Sequence, residues 1–325
     1  MRKQPHHLIK PFLLMAFSLL LMTACYQPVI QKTHLFLKPS PECRVVQHEF
    51  GETCVPLNPR WIVVLSPQVT LDPLVALDIK PIGFTTSYIP NKGKESLASV
   101  SFDRVLGAQS VGNEYQPSLE KILMLKPDLI LTCCDDPAHS LLPAIAPTVP
   151  VPIPSDLPPE KVYFKENLRY VAKVLGQETR TEEALNQYQQ RIEKIKQRLG
   201  NQLQQMEIAV LFCDSNVAWT IGNKRHLIIN SIFNDLGLNY RSFSGKEYAK
   251  LSLETIDDYN TDILFIVDVA ERTSSFYYQH PLFSSLKAFK NHQAYVVSQE
   301  TWYTLGILGA NKILDDLEKY LVSPS

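Results

Sequence analysis

The chain has 325 residues, 45% hydrophobic and 20% charged, with 32 Lys+Arg against 33 Asp+Glu and a formal net charge of −1. That balance lacks the basic surplus a general nucleic-acid binder carries, and the length suffices for two domains with their own cores. Only 12 glycines occur in the chain. There is no Gly-x-Ser-x-Gly elbow, phosphate-binding Gly-rich loop or Gly-x-Gly-x-x-Gly run, so an enzyme built on those motifs is not expected.

The chain opens on Arg2, Lys3 and Lys10 around an apolar run, Phe12 to Ala24, too short for a bilayer of ~30 Å. The run ends Leu21-Met22-Thr23-Ala24-Cys25, which looks like a lipobox, where an exported chain is cut before a Cys that is then lipidated. Lipidation is therefore expected at Cys25. Removing residues 1–24 takes away those three basic residues and no acidic one, moving the formal charge from −1 to −4. An exported chain can oxidise its cysteines. Cys43 and Cys54 flank an alternating segment with Gly51 near its turn. As a β-hairpin it would set the two cysteines opposite each other, and a disulfide is expected. Cys133, Cys134 and Cys213 form no zinc pattern, and no direct metal site is expected from them.

Trp61-Ile-Val-Val-Leu65 reads as a buried parallel strand, and Thr70 to Leu77 as the helix after it. Pro81 to Thr85 is a second strand. Leu119 to Leu125 is a helix stopped by Lys126-Pro127, and Asp128 to Thr132 the next strand. Seven prolines between residues 143 and 159 close that half. Val162 to Leu175 reads as one amphipathic helix stopped by Gly176, and Glu182 to Leu199 as another. The α/β pattern then restarts with strand Ile208–Phe212, helix Asn230–Leu236, helix Leu253–Tyr259, strand Ile263–Val267, strand Ala294–Val297 and a closing helix Ile307–Tyr320.

Two stretches 134 residues apart share a pattern. Ser118-Leu119-Glu120-Lys121-Ile122 leads to Asp128-Leu129-Ile130-Leu131, and Ser252-Leu253-Glu254-Thr255-Ile256 leads to Asp262-Ile263-Leu264-Phe265. The period is too long for a solenoid and implies two lobes of like build. Each lobe would carry a carboxylate, Glu120 or Glu254, at a helix start, where the dipole favours negative charge.

These segments resemble the periplasmic binding proteins of ABC importers for ferric siderophores, haem and cobalamin. The resemblance runs over roughly residues 44–320. It is carried by Arg44-Val-Val-Gln-His-Glu-Phe-Gly-Glu-Thr with Val55-Pro, by Asn58-Pro59-Arg-Trp-Ile-Val-Val-Leu, by Pro117-Ser-Leu-Glu-Lys-Ile with Leu125-Lys-Pro-Asp-Leu-Ile, and by Lys165-Glu-Asn-Leu, Leu-Ser-Leu-Glu254 and His280-Pro-Leu-Phe. It implies an α/β fold of two Rossmann-like lobes joined by one long α-helix, with the ligand cleft between them. The expected division is 1–24 signal peptide, 25–42 tether, 43–160 N-terminal lobe, 161–177 interlobe helix and 178–325 C-terminal lobe. The implied partners are an iron chelate, an ABC permease docked through Glu120 and Glu254, and the membrane through a lipid anchor. The site would lie outside the cytoplasmic membrane.

Ligands of open α/β lobes sit beyond the strand carboxyl ends. The loops expected there hold Tyr88, Tyr115, Trp219, Arg225, Tyr248 and Trp302, with Tyr303 beside Trp302 and Arg104 in another polar loop. Flat aromatics and a forked guanidinium suit a bulky, partly anionic chelate, and the resemblance implies a ferric siderophore as the ligand, with no resident cofactor. A haem carrier would need a Tyr or His on iron, and His226 and the cleft tyrosines leave that open, as they do a cobalamin carrier or a sensor lipoprotein. A carrier of bare zinc or manganese would need converging histidines, and none of the six in the mature chain is spaced as a pair.

Overall fold

The computed structural model describes residues 43–89, 94–133, 138–153, 161–214, 218–221, 228–241, 248–251, 256–270 and 272–322, with backbone only at 88–89, 204, 218–221, 248–251 and 257. Cys25, Cys134, Arg225, His226 and Glu254 therefore lie outside the described residues.

The chain begins with a hairpin, β1 (Cys43–His48) paired antiparallel to β2 (Gly51–Pro56) through a tight turn at Glu49-Phe50. Gly51 adopts φ +120°, which a side chain rarely allows. A disulfide joins Cys43 and Cys54, with Cα atoms 5.6 Å apart. The register pairs Cys43 with Pro56 and Val45 with Cys54, so the cysteines stand on a diagonal and not face to face as expected. The hairpin is pinned to the body: Thr53 Oγ1 donates to the Thr148 carbonyl at 2.8 Å and Arg44 Nη1 to the Val174 carbonyl at 2.9 Å.

Among the described residues, seven strands follow in the first lobe: β3 (Ile62–Val64), β4 (Gly83–Ile89), β5 (Lys94–Ser96), β6 (Gln109–Asn113), β7 (Gln116–Pro117), β8 (Leu129–Cys133) and β9 (Thr148–Val151). They order as β7-β6-β4-β3-β8-β9, with β5 on β4, and the central pairs are parallel. Strand β9 sits within the proline-rich stretch that the sequence marks only as a lobe end. Pro150 is tolerated there because β9 is at the edge of the described sheet. Helix α1 (Asp72–Ala76) continues a helical turn at Pro67–Leu71 that Ser66 caps, and α2 (Leu119–Leu125) is capped by Ser118.

Between the sheets run α3 (Tyr163–Leu175) and α4 (Glu178–Leu199), separated by Gly176 in the left-handed conformation. Gly176 is required twice over, since a Cβ there would also lie 2.2 Å from Arg44 Nη2. The second lobe holds β10 (Glu207–Cys213), β11 (Ala218–Ile221), α5 (Ile228–Leu236), β12 (Asn239–Tyr240), β13 (Tyr248–Leu251), β14 (Ile263–Asp268), β15 (Ala294–Ser298) and α6 (Ile307–Leu317). Its order is β13-β11-β10-β14-β15, with β12 on β10. The described part of the expected helix Leu253–Tyr259 is a single 3-10 turn, Ile256–Tyr259.

Strand alternation decides how the core is divided. Ile62 and Val64 of β3, Val210 of β10 and Phe265 of β14 belong to one core cluster with Leu168 of α3 and Ile313 of α6. Residues of alternate parity on the same sheets lie in separate clusters: Val63 and Ile130 in the first lobe, Leu211 and Leu264 in the second. The lobes thus share one continuous core along a seam built from α1, α3, α5 and α6.

Candidate functional site

The repeated Asp has the same job in both lobes. Asp128 accepts the backbone N–H of Arg60 at 2.8 Å and Trp61 at 2.9 Å, ahead of β3. Asp262 accepts the N–H of Glu207 at 2.8 Å, at the start of β10. Each ties down the amino end of its lobe's first central strand. Lys287, hydrogen-bonded to Asp262, holds that carboxyl below its usual range. The repeated Ser caps its helix where it is described: Ser118 Oγ accepts Lys121 N–H at 3.3 Å. Glu120 in the same first turn is exposed. So are Leu123 and Met124, one turn on, at 58% and 73%.

At the strand carboxyl ends of the first lobe, Glu114 follows β6. Its N–H donates to the Thr86 carbonyl at 3.0 Å. Its carboxylate accepts Ser66 Oγ–H, after β3, at 3.4 Å, and the Ser87 hydroxyl of β4. Glu114 thereby bridges three neighbouring strands. Tyr115 beside it is 72% exposed, its N–H held by Asn113 Oδ1 at 3.0 Å. Tyr88 lies near the carboxyl end of β4, opposite Glu95 of β5.

At the matching edge of the second lobe, Asp268 ends β14 and is buried. It accepts the N–H of Ala270 at 2.9 Å and pairs with Arg272 at 3.2 Å. Arg272 also donates to the Asp214 carbonyl at 2.9 Å and lies 4.9 Å over the Phe276 ring. A guanidinium fixed by a carboxylate, a carbonyl and an aromatic face is set in one orientation. Cys213, at the end of β10, is buried, and that burial pushes its thiol up to about 12, so it is an inert thiol. Tyr303 is 47% exposed, edge-on to Phe212 with ring centroids 6.2 Å apart.

Four expected ligand contacts change place. Trp302 is 1% exposed; its indole N–H donates to Asp316 at 2.8 Å and its ring lies 4.8 Å from Phe265. It is a core residue because that half-buried carboxylate satisfies its side chain's only polar atom, and its neighbour Tyr303 carries the exposed ring. Arg104 lies at the far end of α1 from the strand carboxyl ends. It donates to the Val75 carbonyl and to Asp78, both at 3.3 Å, as a cation does at a helix C-terminus. Trp219 and Tyr248 are strand residues and not loop residues. Trp219 of β11 pairs with Phe212, one residue short of the end of β10, and Tyr248 of β13 pairs with Ile221. Sequence reasoning missed Glu114 and Arg272. Both fall within loops flagged after strands, but nothing local marks Arg272 as the partner of Asp268. Among the described residues, no three His, Cys, Asp or Glu side chains cluster to hold a metal ion, and no helix is long and apolar enough to cross a membrane.

The periplasmic binding protein family model matches residues 62–301, nearly the whole of both lobes. The chain belongs to the periplasmic binding protein family. It is 29% identical over 300 residues to the probable siderophore-binding lipoprotein YfiY of Bacillus subtilis, covering 87% of this chain and 89% of the relative. It is 28% identical over 270 residues to the Fe(3+)-citrate-binding protein YfmC of the same organism, covering 81% of each. Among solved structures, Staphylococcus aureus SirA complexed with staphyloferrin B superposes with a TM-score of 0.65 at 25% identity, over 86% of this chain and 98% of that one. The fold is also that of the triscatecholate siderophore binding protein FeuA of Bacillus subtilis, with a TM-score of 0.63 at 22% identity over 86% of this chain and 98% of that one. These relatives and neighbours are binding proteins, and the architecture they share is two α/β lobes.

Proposed function

We propose that this protein binds a ferric siderophore outside the cytoplasmic membrane and hands it to an ABC permease. The observation that carries the proposal is the length of the match: relatives named for siderophore or ferric citrate binding align over more than four-fifths of the chain. The two carboxyl-end edges supply fitting chemistry. Arg272 offers a fixed cation to an anionic chelate, Tyr115 and Tyr303 offer flat contact area, and Glu114 accepts hydrogen bonds from ligand hydroxyl or amine groups. Tyr88, Trp219, Arg225 and Tyr248 complete the proposed contacts. On the same reading Cys25 carries the lipid anchor, residues 1–24 are a signal peptide, 25–42 a tether and 161–177 the helix between lobes 43–160 and 178–325, and Glu120 and Glu254 dock the permease.

The test is titration of the purified chain from residue 25 onward, following intrinsic tryptophan fluorescence. The panel is ferric citrate, ferric staphyloferrin B, ferri-bacillibactin, haem and cobalamin. Saturable quenching by a ferric chelate at micromolar concentration or below is expected, with weaker response to the iron-free chelator. A response to haem or cobalamin alone, or to none of the panel, sinks the proposal.

A further inference from the structure

The strongest unexplained feature of the seam is a carboxylate with no counter-ion among the described residues. Asp72 is fully buried, on α1 of the first lobe. Its oxygens accept the backbone N–H of Leu308 at 3.1 Å and Gly309 at 3.4 Å, in the first turn of α6, 236 and 237 residues away. The Ser99 hydroxyl donates to it as well. No cationic side chain is bonded to it among the described residues.

Helix α6 is preceded at its N-cap by Gly306, which has no side chain with which to cap the first turn. Asp72 caps that turn from the other lobe. Gly306 is also what lets it approach, because a Cβ there would lie 2.0 Å from Asp72 Cγ. Gly306 has φ −103°, which any residue can adopt, so close approach and not backbone freedom accounts for the glycine. Gly309 has a parallel role, since its Cβ would lie 2.1 Å from Thr304 Oγ1. Helix α6 then runs on through the shared core and packs against α5 of its own lobe and α3 between the lobes.

A cap is directional. The carboxylate must lie on the axis of the helix start to meet two successive N–H groups. Burial in a low-dielectric seam makes any departure costly, since it would leave both the carboxylate and the amides without partners. Apolar contacts along the same seam constrain separation but permit sliding.

We infer that Asp72 is a positioning residue that fixes the set of one lobe on the other, and with it the width of the ligand cleft, by capping α6 across the seam. The inference concerns lobe geometry. Only its ligand readout rests on the ferric-chelate proposal.

The test uses the chain from residue 25 onward in three variants: Asp72→Asn, Asp72→Ala and Gly306→Ala. Hydrogen exchange of the amides from 306 to 312 and small-angle scattering need no ligand. In Asp72→Ala, protection of those amides should fall by at least about tenfold relative to those of β14, and the pair-distance distribution should broaden. Asp72→Asn, which keeps one acceptor oxygen, should fall between the two. Gly306→Ala should disturb the same amides strongly in the native background and much less in the Asp72→Ala background, where the space is vacated. If Asp72→Ala does not fold, Asp72→Asn and Gly306→Ala carry the test alone. A ferric-chelate titration adds the link to the cleft: Asp72→Asn should weaken the chelate that binds the native chain by about tenfold. Lower melting temperature with uniform exchange and unchanged scattering would make Asp72 an ordinary stabilising residue and overturn the inference. Loss of local protection without any response to chelate in the native chain would leave the strut standing and fail the ligand proposal instead.

Discussion

Two buried aspartates show how differently the seam and the strand carboxyl edge are built. Asp72, in the seam, is satisfied by a hydroxyl and two amides, all neutral. Asp268, at a strand carboxyl end, is satisfied by amides and by the guanidinium of Arg272. A carboxylate held by neutral donors stays sensitive to its own desolvation, and burial pushes Asp72 up from 3.8 to about 6. A carboxylate paired with a cation spends its charge on orienting that cation. The seam therefore uses a carboxyl group as a hydrogen-bond acceptor that fixes a helix, and the strand carboxyl edge uses a charge to orient another charge.

The comparison breaks first at Asp268. Asp268→Ala leaves Arg272, only 19% exposed, without its carboxylate partner. Removal of one member of a buried pair costs about 3–5 kcal/mol, and chemical denaturation should show a loss of that order. A loss under ~1 kcal/mol would mean that Arg272 finds water or another acceptor, and the two sites would not differ as argued.

The next effect is a pH slope confined to the seam. The native carboxyl of Asp72 holds its proton more tightly than the unfolded chain does, so its contribution to stability grows as pH falls from about 6 toward about 4 and is flat above that. Over that window the native chain should gain up to ~3 kcal/mol relative to Asp72→Asn. Parallel stability curves for the two proteins from pH 4 to 7 would refute this.

Glu114 sharpens the contrast from the cleft side. It accepts the hydroxyls of Ser66, after β3, and Ser87, on β4, so Glu114→Gln keeps an acceptor for them and should cost about 1 kcal/mol or less. Chelate affinity should nonetheless change, by about tenfold if the carboxylate takes a donor from the ligand. A shift in stability without a shift in affinity would place Glu114 outside the site.

The smallest effect on the isolated protein is expected at the exposed end of α2. Glu120→Gln should leave melting temperature and chelate affinity unchanged. Uptake in cells should fall, and should nearly vanish in the double variant with Glu254→Gln, because charges desolvated at an interface count for more than exposed ones. Full uptake by the double variant would reduce Glu120 to a helix-end carboxylate.

Much of this fold is legible from local signals alone. Apolar runs ending at Ser66 and Thr132, helix stops at Gly176, Gly237 and Lys126-Pro127, and the alternating segment between Cys43 and Cys54 each act through their own neighbours in the chain. Lys126 and both glycines do adopt positive φ. The spaced Ser-Leu-Glu and Asp repeat likewise announces two lobes, because equivalent strands need equivalent anchors. Tertiary structure alone decided the rest. Trp302 is core because Asp316 and Phe265 meet it, and Arg104 is remote from the cleft because α1 ends beside it. Asp72 and Gly306 belong together only because two lobes press α1 against α6. A periodic pattern reports which face of an element is buried. It does not report which distant element will cover that face, and the partner sets the role of each buried polar group.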